Sequence, residues 1–475
     1  MDIYKIFKIL IAMAPITIFA AGGGHGNAPH LDGSAENLAI YWVIPFAGIL
    51  LSIAAFPLIA PDFWHHNFGK ISLFWATSLI IPFVIKEGFQ ITLYELLHVG
   101  LLEYVPFIIL LLALFTISGG VQLKGSLVGS PTLNTAILAI GTLLASWMGT
   151  TGAAMLLIRP LIRANSHRKN KVHVIVFFIF LVANIGGALT PLGDPPLFLG
   201  FLKGVNFFWT TSAMFLPMLF LVVSLLIIFF VLDTYFFKKE NISIEIEENP
   251  EKLGLEGAFN LLLLAGVVGG VLLSGFWKPG ISFSIYYVDV ELQNIVRDIL
   301  LLGLTYASWV LTSQSIREAN EYTWFPIVEV AKLFAGIFIT IIPAIAILKA
   351  GTQGALSGVV ASVTSNDQPI NYMYFWMTGI LSSFLDNAPT YLVFFNTAGG
   401  DPSLLMGDLY QTLLAISAGA VFMGANTYIG NAPNFMVKSI AETSGIEMPS
   451  FFGYLIKWSI PILVPLFIVL TFIFF

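Results

Sequence analysis

A nine-residue pattern occurs twice in this chain and interrupts long apolar sequence each time. The first copy is Ala188-Leu-Thr-Pro-Leu-Gly-Asp-Pro-Pro196 and the second is Ala425-Asn-Thr-Tyr-Ile-Gly-Asn-Ala-Pro433. Alanine, threonine, glycine and the last proline recur in register without a gap, and Asp194 stands opposite Asn431. Upstream of each copy lies a second polar interruption, Trp147-Met-Gly-Thr-Thr-Gly152 and Leu385-Asp-Asn-Ala-Pro389. The spacing repeats too: Thr150 precedes Asp194 by 44 residues, as Asn387 precedes Asn431. Lipid satisfies no loose backbone N–H or C=O, so a helix broken at membrane depth has to face protein or a wet cavity. A matched pair of such breaks points to a buried binding site between two related halves.

Composition supports the membrane premise. The chain is 57% hydrophobic and only 10% charged, with a mean hydropathy of +0.89, where a soluble domain carries about 25% charged residues. The net charge of −6 lies mostly in loops. No basic patch interleaved with aromatics is present, which argues against nucleic-acid binding. The absence of cysteine excludes disulfides, thiolate metal sites and cysteine nucleophiles. The 42 Phe and 10 Trp suit lipid-facing surfaces and interfacial belts. No GxSxG, HExxH or P-loop occurs, and no acid–base–nucleophile set is visible, so the chain does not read as an enzyme.

Lys5 and Lys8 precede a short apolar run and a Gly-rich stretch, so residues 1–37 read as a signal-like segment and an extracytoplasmic stretch. A first transmembrane half follows over 38–239. In it, 38–60 is a span, 61–70 a short loop, 71–85 a returning span, 89–103 an amphipathic interfacial helix and 104–117 a further span. The segment 132–163 has two apolar arms of about 10–15 residues, too short for a core of about 30 Å. It reads as a re-entrant hairpin with its tip at 147–152, and Arg159, Arg163, Arg168, Lys169 and Lys171 beyond it mark a cytoplasmic opening. A broken helix follows over 172–204. Residues 240–254 form a polar cytoplasmic linker.

The second half, 255–475, carries the same parts: a span at 326–348, a hairpin over 372–397 and a broken helix over 409–440. Counting spans gives this half the opposite orientation. The expected fold class is therefore an all-α polytopic membrane protein, an inverted-topology repeat with two re-entrant hairpins and two broken transmembrane helices.

A broken helix presents N–H groups at one new end and C=O groups at the other, so the break alone does not fix the sign of a ligand. The side chains decide. Asp194 and Asp386 lie at the breaks, one in each half, and intramembrane carboxylates are costly and usually retained for ions or protons. Asn387, Asn426, Asn431, Thr150, Thr151, Thr190 and Thr427 add neutral oxygens, which suit hard cations. Two carboxylates repel a free anion. A carboxylate that takes either a cation or a proton is the simplest basis for exchange. Asp194, ahead of Pro195-Pro196, also suits a helix N-cap. Asp386 lies in an apolar run and has less structural excuse. Glu329 and Lys332, three apart, read as a structural pair; Lys203 reads as snorkelling, His65-His66 as interfacial, and His25 and His30 as solvated.

The stretches 184–196 (Asn-Ile-Gly-Gly-Ala-Leu-Thr-Pro-Leu-Gly-Asp-Pro-Pro) and 383–390 (Ser-Phe-Leu-Asp-Asn-Ala-Pro-Thr) resemble motifs of the ion transporter superfamily. Within it they look closest to NhaD-type sodium/proton antiporters, with arsenite permeases and citrate-transporter-like proteins as relatives. The resemblance spans roughly residues 40–475. It implies a homodimer in the inner membrane, a scaffold domain and a transport domain, an elevator-like movement, and hairpin tips that meet the broken helices around the substrate. Dicarboxylate relatives carry Ser-Asn-Thr at both tips; Gly149-Thr150-Thr151 and Asp386-Asn387-Ala388 depart from that pattern. The expected function is sodium/proton antiport without a cofactor, with sodium held by Asp386, Asn387 and Asp194 and Asp386 as the main carboxylate. A sodium-coupled di- or tricarboxylate carrier, arsenite efflux and an ion channel are the alternatives.

Overall fold

The computed structural model describes residues 38–240, 252–366 and 368–475, together with Pro29 and Leu31. The signal-like segment, His25, His30 and most of the linker lie outside the described residues. The chain is an all-α polytopic membrane protein, and about 77% of its described residues are helical. Among the described residues, nine helices are long and apolar enough to cross a membrane. A tenth candidate is the pair Phe325–Thr340 and Ile342–Lys349, bent by 42°. Pro343, just inside the second helix of that pair, cannot donate back into the preceding turn, so the expected straight span 326–348 bends there.

Two compact units emerge, and each draws on both sequence halves. Among the described residues, one comprises 38–113, 269–304 and 322–357; the other comprises 114–240, 252–268, 305–321, 358–366 and 368–475. In the first unit, the expected loop 61–70 is helical. The helix Pro61–Glu87 starts directly after Ala60, with proline at its first position and Asp62 in its first turn. Proline suits that position because its fixed φ is helical and the missing N–H needs no partner. Trp64 and Phe68, four apart, are buried on one face, so this turn is held by packing although its other residues are polar. The expected separate interfacial helix 89–103 is likewise corrected. It runs without a stop into the next span, and a π-helical turn at Gly100–Tyr104 joins Phe89–Val99 to Val105–Ser118. Residues 89–104 contain no proline, and the wider π turn absorbs the change of facing without breaking the helix. Glu329 and Lys332 form no ion pair with each other. Glu329 accepts from Trp64 Nε1 at 3.2 Å, and Lys332 Nζ lies over the Phe68 ring at 5.4 Å.

The second unit holds both hairpins and both interrupted helices. The helices that build the site are numbered α1 to α9 in chain order. Helices α1 (Pro131–Met148) and α2 (Thr150–Ala164) form the first helical hairpin; α3 (Val172–Leu181) and α4 (Pro195–Leu202) are the two parts of the first interrupted helix. Helix α5 (Phe207–Glu240) is a long span. Helices α6 (Asn371–Phe384) and α7 (Asn387–Thr397) form the second hairpin, and α8 (Tyr410–Met423) and α9 (Ala432–Thr443) the second interrupted helix. The apolar helix α3 is buried from His173 to Leu181, and α8 from Thr412 to Met423. A helix apolar on every side needs this surrounding by protein or lipid, and here it is protein.

Both breaks rest on the same close approach. A side chain on Gly193 would place its first carbon 2.1 Å from Gly187 O, and one on Gly430 would lie 2.5 Å from Gly424 O. Only glycine lets the backbone fold back so tightly after the short 3₁₀ turns Ile185–Leu189 and Gly424–Asn426. One tertiary element escapes the sequence reading. Gln122–Lys124 pairs antiparallel with Gly254–Glu256, closed by a Lys124–Glu256 ion pair at 2.7 Å, so the end of the linker region is tied back to the first half.

Candidate functional site

Each hairpin is braced to its own break by the same pair of hydroxyls. Ser146 Oγ, near the tip of α1, donates to Gly186 O at 2.5 Å and accepts from Leu189 N at 3.1 Å, while Thr190 Oγ1 donates to Ser146 O. In the second half, Ser383 Oγ lies 3.0 Å from Met423 O as donor and accepts from Asn426 Nδ2 at 2.9 Å, while Thr427 Oγ1 donates to Ser383 O. The threonine oxygens also accept from the backbone two residues on, at Leu192 N (3.1 Å) and Ile429 N (3.3 Å). An offset of 237 residues maps each of these positions onto its partner. Thr190 and Thr427 therefore hold the breaks, and their hydroxyls are spent on backbone.

The side chains that converge do so on Asp194. Asp194 occupies the N-cap position of α4 but makes no side-chain cap bond. The first two positions of α4 are Pro195 and Pro196, which have no N–H to offer, and Leu197 N bonds to Asp194 O instead. The carboxylate, 1% exposed, is thereby freed. Its Oδ1 accepts from Asn431 Nδ2 at 2.8 Å and from Thr150 Oγ1 at 3.4 Å, and its Oδ2 accepts from Asn387 Nδ2 at 2.6 Å. Two hairpin tips and two helix breaks thus each contribute one residue. Thr150 N also donates to Gly193 O at 2.9 Å, which pins the first tip to the first break.

Asp386, expected from sequence as the main carboxylate, sits at the second hairpin tip. It is half-buried at the N-cap of α7, where its Oδ1 accepts from Ala388 N at 3.0 Å. It remains close enough to Asp194 to act on it electrostatically. Asn387 Oδ1 and Asn426 Oδ1 are buried acceptors without a hydrogen-bond partner. Thr151 is half-buried on α2 and is not among the partners of Asp194. The side-chain partners of Asp194 are all neutral, so the site offers two carboxylates and amide oxygens. That donor set is suited to a hard cation or a proton, and to a bare anion it is repulsive.

Two residues missed by sequence reasoning tie the two breaks together. Asn184 Nδ2 donates to Asn434 Oδ1 at 2.6 Å and to Ile179 O at 2.8 Å; Asn434 Nδ2 donates to Gly424 O and Thr427 O, both at 2.9 Å. Ser146 and Ser383 were legible as a repeated pair at the common offset. Asn184 and Asn434 do not map onto each other, and no spacing signal marks them.

A buried carboxylate at the meeting of two hairpin tips and two interrupted helices, within a polytopic membrane protein, defines a secondary transporter. Residues 35–475 match the family described as "Putative citrate transport", and the chain belongs to that family, citrate-transporter-like members of the ion transporter superfamily. No curated protein matches the chain significantly.

Proposed function

We propose that the protein is a sodium/proton antiporter of the NhaD-like kind, in which Asp194 is the carboxylate occupied alternately by sodium and by a proton. The observation that carries this reading is the chemistry around Asp194: one fully buried carboxylate, a second carboxylate nearby, and only neutral partners. Asn387 Oδ1 and Asn426 Oδ1, buried and unpartnered, add the neutral oxygens a cation prefers. Asp386 raises the local negative potential and caps α7. The unit that holds the site is the moving transport body of an elevator-type mechanism, and the other unit is its scaffold. The two repeats are inverted in the bilayer, the hairpins are re-entrant, and the working form is a homodimer in the inner membrane.

The family description favours a second reading, sodium-coupled uptake of citrate. In that case cations bind first and the carboxylates hold them against the substrate. Purified protein in proteoliposomes with an imposed pH gradient separates the two. Antiport predicts that added sodium collapses the gradient without any organic anion. Saturable, sodium-dependent accumulation of citrate, with no gradient collapse in its absence, would establish the second reading and remove the first.

A further inference from the structure

A second buried charge cluster lies at the root of the first hairpin, about 21 Å along α1 from the tip at the usual helical rise. Asp233 of α5 is fully buried. Its Oδ1 lies 2.5 Å from Arg168 Nη1 and 2.7 Å from His173 Nε2, and its Oδ2 accepts from Asn134 Nδ2 at 2.9 Å. Asn134 and Asn165, at the two ends of the hairpin root, exchange hydrogen bonds of 2.9 and 2.8 Å. Arg168 Nε lies 4.0 Å from Glu240 Oε2, and the Glu240 carboxylate accepts from Lys169 N at 3.3 Å and Asn170 N at 2.5 Å. The hairpin, the loop after it, α3 and α5 therefore meet at one carboxylate.

The surroundings of the imidazole are otherwise apolar or self-satisfied. Its ring contacts are Phe229 and Phe236 of α5, with centroids at 6.1 and 4.8 Å. Helix α1 has no charged residue. Lys438 and Glu442 of α9, which also packs on α3, pair with each other at 2.7 Å. His167 and Lys169 of the loop are exposed. The cluster holds two carboxylates and one guanidinium, so a single proton on His173 decides between a balanced cluster and one with a surplus negative charge. Buried ion clusters cost desolvation and are a weak source of stability, so a switching role is the better-attested reason to keep one. Histidine is the side chain that ordinarily titrates between about pH 5 and 8.

We propose that the His173–Asp233–Arg168 cluster is a second proton-binding site, separate from the one centred on Asp194, which sets how firmly the root of the α1–α2 hairpin is held to α5. With the proton on, Asp233 binds two cations and its second oxygen anchors Asn134. With the proton off, Nε2–H still donates to the ionised carboxylate but the ion-pair attraction between His173 and Asp233 is lost, and the surplus buried negative charge destabilises the cluster that holds the tether. The far end of this hairpin presents Thr150 to Asp194, so the root is mechanically connected to the transport site.

The chain has no cysteine, so a Thr132→Cys/Lys238→Cys pair on exposed positions of α1 and α5 can be spin-labelled without further changes. Label–label distances in lipid nanodiscs are measured by double electron–electron resonance at about pH 5 and about pH 8. The distribution is expected to be narrow at the acid side and broader on the alkaline side. His173→Gln, which keeps an amide donor but cannot titrate, is expected to lose that pH response. Asn134→Ala, which leaves the charged trio in place, is expected to give the broad distribution at both pH values. An unchanged pH response in His173→Gln, or no response in the parent, overturns the proposal. Loss of the response in an Asp194→Asn background also overturns it, because the relevant proton would then belong to the transport site.

Discussion

In the first repeat, the helix after the break begins with Pro195-Pro196, and the residue before them is Asp194. In the second repeat it begins with Ala432-Pro433, and the residue before them is Asn431. At the tips the contrast runs the other way: the first has Gly149 and Thr150, the second Asp386 and Asn387. The bracing is shared almost atom for atom, through Ser146 with Thr190 and Ser383 with Thr427. One scaffold is thus used twice, and chemistry is added unevenly to it. The carboxylate at the break is left free by two prolines and becomes the point of convergence. The carboxylate at the tip finds a backbone N–H two residues on and is partly engaged as a cap. The same side chain, at two break-related positions, is central in one and supporting in the other because of which N–H groups lie within its reach.

The comparison breaks most severely at Asp194. Asp194→Asn is expected to reduce sodium-driven proton flux by at least about 100-fold, since under the proposed antiport it removes the group both ions share. Exchanging the repeats' own residues sharpens this. The Asp194→Asn/Asn431→Asp double variant puts a carboxylate at the pseudo-equivalent position, in contact with the same partner. Flux in proteoliposomes is expected to recover to roughly tenfold above the single variant. No recovery would mean that the two breaks are chemically inequivalent beyond these two residues.

The tips come next. Gly149 has φ of +80° and ψ of 148°, whereas Asp386, its counterpart, has φ of −61°. Gly149→Asp, which makes the first tip read like the second, is expected to cost about 1–3 kcal/mol through backbone strain. Asp386→Gly loses only a cap, a few tenths of a kcal/mol. Thermal unfolding in detergent reads both, and equal shifts would refute the claimed difference in backbone. The smallest expected difference concerns symmetry itself. Ser146→Ala removes a buried hydroxyl bonded to Gly186 O and Leu189 N, and Ser383→Ala one bonded to Gly379 O, Met423 O and Asn426 Nδ2; each is expected to cost about 1–3 kcal/mol. Unfolding shifts that differ by more than about 1 kcal/mol would show that the two braces carry unequal load.

Much of this was legible in sequence because backbone geometry leaves a strong mark. Glycine, proline and small polar residues within apolar runs located both breaks and both tips, and the common offset related them. The different hydrogen bonding of the two aspartates was not legible, because it depends on which N–H groups face each carboxylate. Asp386 looked unexplained in an apolar run, yet it caps α7; Asp194 looked like a cap, yet prolines deny it that role. Polarity also misled at residues 61–70, where Trp64 and Phe68 hold a helical turn that reads as loop. The Asn184–Asn434 link and the Asp233 cluster join distant segments through single residues without a period, and no local pattern announces them.

The central claim is that sodium and a proton compete for Asp194. Proton release on adding sodium to purified, weakly buffered protein tests it most directly, with the parent, Asp194→Asn and Asp386→Asn measured side by side. Release is predicted in the parent, reduced but measurable release in Asp386→Asn, and none in Asp194→Asn. Undiminished release from Asp194→Asn would contradict the account.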